Sequence, residues 1–244
     1  MNPRLSVIIP AYNEAKRLPA TLVSIVQFSK TISYQIEVIV VVNNTTDDTV
    51  KVAEAMKDTV PNLTVIDIGM HQSESGTKGL AVKEGMLRAQ GEYAVYMDAD
   101  NATSIEAVEA FWIHFSNGAD VVFGSRAIAR SHVRRVWYRA VAAWGANILI
   151  QSLLLPKVRD SQCGFKCFTA ASAKAIFSRT TIPGWGFDLE VLAIARSLGS
   201  NMVEAPVRWK EVGHTSLKAS AFFTTLKELF SIRKNLKRKV YDRG

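Results

Sequence analysis

Cysteine is scarce in this chain: Cys163 and Cys167 are the only two in 244 residues. They are spaced C-x₃-C with no second pair, which points to a reduced, partly buried pair rather than a zinc site. Long apolar runs are also missing. The longest, Val136–Leu155, contains Arg139, Asn147 and Gln151 and is followed by Pro156, so no membrane-spanning helix is expected. Met1-Asn2-Pro3-Arg4-Leu5 runs straight into a strand-like segment without the charged, apolar and cleavage regions of a leader, and a cytoplasmic protein is the expectation. No low-complexity linker and no repeat of fixed period interrupts the chain, which reads as one continuous domain. Acidic residues are outnumbered, 22 against 30 Lys and Arg, for a net charge of +8. Such a surface attracts anions: nucleotides, phosphates, lipid headgroups or nucleic acid. The last is the weakest reading, because the cations cluster near aromatics and apolar helices and no nucleic-acid motif is present. What the chain has in quantity is apolar side chain, 48% of residues, enough for a sizeable core and contrary to disorder.

The first half alternates in pattern. Residues 6–9, 37–42, 64–68, 93–97 and 120–123 read as strands. Helical stretches fall at 16–29, up to Met56, at 77–89 and at 105–115. This βαβα order predicts an α/β fold with a mostly parallel sheet flanked by helices. Ligands of such sheets sit beyond the carboxyl ends of the strands. In the second half a long helix is expected over 134–155, a strand over 164–168, helices over 170–177 and 187–198, and a strand over 202–209.

Asp98-Ala99-Asp100 falls at one of those strand ends, directly after Tyr93–Met97. Two carboxylates so placed can aim into one crevice, where they either repel and raise a pKa or share a cation. Their hard oxygens suit Mg²⁺ or Mn²⁺, often completed by substrate phosphates. A bare D-x-D arises by chance in solvated loops, so its meaning depends on its company.

That company is an ordered series. Pro10-Ala11-Tyr12-Asn13-Glu14 follows the first strand, Asn43-Asn44 the second, and Thr77-Lys78-Gly79-Leu80-Ala81-Val82-Lys83 opens a helix. Later come Gly124-Ser125-Arg126, Arg159-Asp160-Ser161-Gln162-Cys163-Gly164-Phe165-Lys166, Phe187-Asp188-Leu189-Glu190 and Trp209-Lys210-Glu211. With the D-x-D this set resembles the family 2 glycosyltransferases, whose fold is GT-A. It is most similar to the dolichyl-phosphate β-glucosyltransferases and their polyprenyl-phosphate relatives, over nearly all of residues 4–218.

The resemblance implies an inverting, metal-dependent hexosyltransferase at the cytoplasmic face of a membrane, moving glucose from UDP-glucose to a polyprenyl or dolichyl phosphate. Asp98 and Asp100 would hold Mg²⁺ or Mn²⁺ and offset the charge building on the leaving diphosphate. Pro10, Tyr12, Asn13, Glu14, Asn43 and Lys78 would form the donor-nucleotide side. Arg126, Arg139 and Lys218 would hold the acceptor phosphate, since guanidinium forks match phosphate oxygens. Asp160 and Asp188 remain as further catalytic candidates, orienting sugar or acceptor. A phosphate acceptor needs no base, because its second pKa is about 6 and it is mostly dianionic at neutral pH. A glycan or other hydroxyl acceptor would need one, and that reading stays open, as does GDP-mannose for the donor. Asn43-Asn44 departs from the family's usual Asp-Asp; amides donate and accept where carboxylates only accept. A scaffold that kept the fold without the chemistry is the non-enzymatic alternative. Of the nearby charges, Lys83 reads as solvated, Arg134 and Arg135 as a basic membrane-facing surface, His214 as a loop polar group, and Asp47 and Asp48 as the opening of a helix.

The tail, 219–244, is set apart from the domain of 1–218. Phe222, Phe223, Leu226, Leu229 and Phe230 recur at helical spacing, with Lys227, Lys234, Lys237, Arg238 and Lys239 between and after them. Either a helix packed on the core or one lying in a membrane interface has this pattern. Trp137, Tyr138 and Trp144 near three arginines turn the expectation toward the peripheral membrane reading.

Overall fold

The computed structural model describes residues 3–73, 76–128, 145, 147–210 and 219–242, with the backbone alone for 219–223. Seven strands form a single sheet: β1 (Leu5–Ala11), β2 (Ile36–Val42), β3 (Leu63–Asp67), β4 (Tyr93–Met97), β5 (Val121–Ser125), β6 (Phe165–Thr169) and β7 (Met202–Pro206). Their order is β3-β2-β1-β4-β6-β5-β7. Neighbours are parallel except at β6, which runs antiparallel to both β4 and β5. The helices are α1 (Leu18–Ser29), α2 (Thr49–Glu54), α3 (Lys78–Arg88), α4 (Trp112–Ser116), α5 (Ala170–Phe177), α6 (Phe187–Ser197) and α7 (Ala219–Lys237); residues 147–153 are helical as well.

The central strands are apolar at nearly every position because helices cover both faces. Leu5, Val7 and Ile9 of β1 join Val38, Val40 and Val42 of β2 in one layer, under Leu22, Ile25 and Phe28 of α1. Ile8, Ile39 and Val41 point the other way, toward Val82 and Met86 of α3 and Leu192 of α6. Gly85 permits that second layer: a Cβ there would lie 2.5 Å from Ile8 Cγ2 and 3.1 Å from Val41 Cγ2. Cys163 and Cys167 are free and buried, and burial pushes the Cys163 thiol up to about 11.

Two elements differ from the sequence pattern. The helix expected over 105–115 is a 3₁₀ segment, Ile105–Phe111, followed by α4. Ile105, Val108 and Phe111 are all buried, and a spacing of three places them on one face when the helix makes three residues per turn. The last strand was expected through Trp209 but ends at Pro206, where its partner β5 also ends, at Ser125. Of the helix expected over 134–155, the part before residue 145 lies outside the described residues. No helix among the described residues is long and apolar enough to cross a membrane.

The tail helix packs on the second core layer through Leu226, Leu229 and Ile232, with Tyr241 beyond it. Phe230 lies on another face and is 51% exposed; the side chains of Phe222 and Phe223 are outside the described residues. Glu190, fully buried on α6, ties the tail to the body. Its carboxylate accepts from Thr181 N (2.9 Å), Ile182 N (2.9 Å), Thr181 Oγ1 (2.6 Å) and Tyr241 Oη (2.8 Å). Glu190 is thus a structural acceptor rather than a solvated charge at a helix start. Removing it leaves buried donors unpaired, so Glu190→Ala is expected to cost about 3 kcal/mol. In a thermal melt that corresponds to a Tm lower by about 6–12 °C for a chain of this size; a shift under about 2 °C would show that the knot carries no stability.

Candidate functional site

Parallel pairing brings Tyr12, Asn43 and Asp98 to one edge of the sheet, since each directly follows its strand. Arg126 joins them after β5, which runs parallel to β4 because both are antiparallel to β6. That same antiparallel strand returns Asp160–Gly164 to this edge from the other direction. The register pairs Met97 with Phe165, which sets Asp98 opposite Gly164. The glycine is required there: a Cβ would lie 2.6 Å from Asp98 Cγ. The carboxylate therefore rests on bare backbone while its Oδ1 accepts a hydrogen bond from Lys78 Nζ at 2.5 Å. Burial alone would lower the Lys78 pKa, but Asp98 and then Asp188 outweigh it and hold the ammonium above its usual value. Lys78 Nζ also stands 5.5 Å from the ring of Trp185, a cation–π distance.

Asp100 is bound more loosely. Its Oδ1 accepts from Ala102 N at 3.0 Å, and its Oδ2 is 3.9 Å from Arg17. Arg17 binds Glu14 with two hydrogen bonds, from Nε at 2.7 Å and Nη2 at 2.5 Å. Burial raises the Glu14 pKa; Arg17 offsets part of this, and Asp100 and Asp98 add to it. Sequence reasoning passed over Arg17, although its place three residues after Glu14 was the available signal for such a pair.

The nucleotide-side residues divide by environment. Tyr12 is 57% exposed at the strand end, a ring open to stacking. Pro10 is buried within β1 opposite Val41. Asn13 has a left-handed backbone (φ +53°) and its Oδ1 accepts from Thr46 N at 2.8 Å, bracing the turn after β2. Asn43 is buried and its Nδ2 donates to Thr77 Oγ1 at 2.5 Å, joining the end of β2 to the start of α3. Asn44 exchanges hydrogen bonds with the backbone of His71, donating at 2.8 Å and accepting at 2.6 Å. Asp47 Oδ1 accepts from Thr49 N at 3.0 Å and Asp48 is the residue that starts α2. A depression of about 730 Å³ lined by Asn13, Ala15, Lys16, Arg17, Thr46, Asp47 and Asp48 opens on the outer flank. It shares Asn13 and Arg17 with the strand-end edge and does not reach Asp98. The acidic pair and its lysine thus lie on the strand-end edge, with this depression beside it.

On the far side Arg126 and Asp160 form a bidentate pair, Nε–Oδ2 2.7 Å and Nη2–Oδ1 2.8 Å, with Arg126 N also donating to Oδ2 at 2.9 Å. Burial would raise the Asp160 pKa, but these hydrogen bonds and the charge of Arg126 hold it below the usual carboxylate range. Asp188 is buried, accepting from Tyr96 Oη at 2.6 Å and from Lys166 Nζ, itself fully buried. Lys83 donates to Thr180 O at 2.7 Å. Arg139 and Lys218 lie outside the described residues.

No three His, Cys, Asp or Glu side chains cluster as a metal site among the described residues. The two aspartates still fit a hard divalent ion of the kind held by one or two carboxylates and completed by phosphate oxygens. Asp98 Oδ1 is committed to Lys78, so Asp98 Oδ2 and Asp100 Oδ2 are the oxygens that would serve.

Two outcomes are expected of this geometry. On the expectation of Mn²⁺-dependent UDP binding that the resemblance implies, Gly164→Ala should push the Asp98 carboxylate off its seat and weaken that binding by calorimetry, on the order of a hundredfold for a displacement near 1 Å, and unchanged binding would show that the seat is irrelevant. The Arg126–Asp160 pair should give an acid-side stability term. Its folded carboxyl pKa is depressed, so the contribution is complete above the unfolded value of about 3.9 and is lost as pH falls through the folded pKa. Asp160→Asn should be less stable than wild type at neutral pH, and the gap should narrow below about pH 4; a gap independent of pH would contradict this.

Comparison with known proteins accords with this geometry. The Glycosyl transferase family 2 model matches residues 6–181. Dolichyl-phosphate beta-glucosyltransferase of Dictyostelium discoideum is 32% identical, over 95% of this chain and 74% of that protein. The protein of that name from Homo sapiens is 31% identical, over 88% and 69%. Among solved structures, glucosyl-3-phosphoglycerate synthase from Mycobacterium tuberculosis in complex with UDP superposes with a TM-score of 0.67 at 20% identity, over 95% of this chain and 80% of that one. The seven-stranded sheet with its single antiparallel strand is a GT-A fold, and the chain belongs to glycosyl transferase family 2 as a glycosyltransferase.

Proposed function

We propose that the protein is an inverting transferase that moves glucose from UDP-glucose to the phosphate of a dolichyl or other polyprenyl lipid, with a divalent metal, at the cytoplasmic surface of a membrane. The observation that carries this is one sheet edge bearing an acidic pair, a lysine matched to it, and a carboxylate-held arginine beyond. The names of the related proteins support the lipid phosphate, and solved relatives of the same fold hold Mn²⁺ and UDP-glucose.

In this reading Tyr12 stacks on the base and Lys78 faces the diphosphate. Asp98 and Asp100 would hold Mg²⁺ or Mn²⁺, which would supply positive charge to the leaving diphosphate. Arg126, fixed by Asp160, presents its guanidinium to the acceptor phosphate. An oxygen of that phosphate attacks the anomeric carbon, the bond from that carbon to the diphosphate oxygen breaks, and UDP leaves with the electron pair. A single displacement inverts the carbon. The pairing of Asp160 with Arg126 and of Asp188 with Lys166 supports a phosphate acceptor, since neither carboxylate is placed as a general base for a hydroxyl.

The membrane reading draws on Phe230, exposed on α7 with Lys227 three residues before it and Lys234 four after. Aromatic and cationic side chains on one face suit an anionic interface. Leu229 and Ile232 belong to the core, so the test replaces the exposed side chains and leaves the helix in place. The triple change Lys227→Gln, Phe230→Ser and Lys234→Gln should reduce partitioning onto phosphatidylserine vesicles about tenfold or more, with electrostatic attraction of about 1 kcal/mol per cation removed, at unchanged Tm.

For the activity, the protein is incubated with radiolabelled sugar nucleotides, Mg²⁺ and polyprenyl phosphate. UDP-glucose should give an organic-extractable labelled lipid, and EDTA should abolish it. No labelled lipid from any donor sinks the proposal; label on a hydroxyl acceptor in place of the lipid phosphate would establish the hydroxyl-acceptor reading.

A further inference from the structure

The segment 182–186 between α5 and α6 forms a wall against the start of α3. Leu80 N donates to Pro183 O at 3.2 Å. A Cβ on Gly79 would lie 2.6 Å from Ile182 O and 2.6 Å from Phe187 Cβ, and one on Gly76 would lie 3.3 Å from Trp185 Nε1. The first turn of α3 is therefore packed directly on this segment, and Lys78 stands over Trp185 and, at 5.9 Å, over Phe187. Where the segment goes, Lys78 must follow.

Two carboxylates hold the segment. Glu190 fixes its start at Thr181 and Ile182. The end is held from α7: Glu228, buried at 8% exposure, accepts from Gly186 N at 2.8 Å. Gly186 is the residue that starts α6, so the carboxylate meets an amide that has no partner within that helix and the positive end of its dipole. The approach is close, since a Cβ on Gly186 would lie 2.6 Å from Glu228 Oε2 and 2.8 Å from Glu228 Cβ. Gly186 is needed for the backbone to meet the tail helix here.

We infer that Glu228 is a positioning residue of the donor site: it holds segment 182–186 against α3 and so sets the place of Lys78 beside Asp98. It touches no substrate. The inference deepens the reading of that edge as a sugar-nucleotide site and rests on it. It also gives the C-terminal helix a role at the donor edge in addition to its packing.

The test measures the donor KM, kcat, the UDP Kd in Mn²⁺ by calorimetry, and Tm, for wild type, Glu228→Leu, Glu228→Gln and Gly186→Ala. Glu228→Leu and Gly186→Ala are expected to raise the UDP Kd and donor KM on the order of tenfold, the scale of a small misplacement of a binding group. Glu228→Gln keeps an acceptor for Gly186 N and should restore most of the affinity. A residue that only stabilised the fold would lower Tm and the active fraction, and hence apparent kcat, while leaving KM and Kd unchanged. A double-mutant cycle with Lys78→Met separates the two further: if Glu228 acts through Lys78, its replacement adds little to the Kd of the Lys78 variant, whereas independent effects would add. If Glu228→Leu does not fold, Gly186→Ala and Glu228→Gln in the same cycle decide. Full additivity, or Kd unchanged in every folded variant, overturns the inference. Failure of the wild type to bind UDP would overturn the donor-site reading itself, a result distinct from UDP binding that is indifferent to Glu228.

Discussion

Asp98 closes an ion pair with Lys78 at 2.5 Å on the strand-end edge, and much of the site is arranged around that pair. The register of β4 against β6 leaves Gly164 as the seat, the start of α3 supplies the ammonium, and the aromatic wall of Trp185 and Phe187 shelters it. Asp100 is less committed and keeps an oxygen toward the crevice. The division leaves Asp98 fixed by its cation and Asp100 held, among the described residues, by only one hydrogen bond.

The same charge matching recurs one layer deeper. Lys166 is fully buried in β6 and is met by Asp188, which also takes the Tyr96 hydroxyl. A buried pair of this kind contributes modest net stability, yet losing either partner leaves an uncompensated charge. It consequently constrains where α6 can sit on the sheet. Glu190 and Glu228 serve in a related way, as buried acceptors for backbone amides that have no helical partner. Between them, α6 and the tail helix hold the chain segment that backs Lys78.

Much of the fold was legible in the sequence because its signals are local. Val-rich runs separated by helical stretches state a parallel sheet covered on both faces, and strand ends in such a sheet converge on one edge. The site was legible only by residue type. Asp98, Lys78 and Arg126 fall where the pattern put them, but nothing in the string shows that Lys78 meets Asp98 or that Arg126 is gripped by Asp160. Arg17 went unnoticed because it reads as one more charge at a helix start, and Glu228 because it reads as one more charge on an amphipathic tail. The tail itself was ambiguous in principle: Leu226, Leu229 and Phe230 recur at helical spacing, and only packing separates the buried Leu229 from the exposed Phe230.

By itself the sequence determined the alternation of elements, the covered parallel sheet, and the set of hard oxygens and cations delivered to its edge, since these follow from periodicity and residue chemistry. Only the tertiary structure decided which charges are matched to which. Lys78 and Asp98 are 20 residues apart, Arg126 and Asp160 are 34 apart, and Gly186 and Glu228 are 42 apart. Ion pairs and capping bonds act over a few ångströms in space and carry no periodic trace along the chain, so their partners exist only once the sheet register and the packing of α3, α6 and α7 are in place.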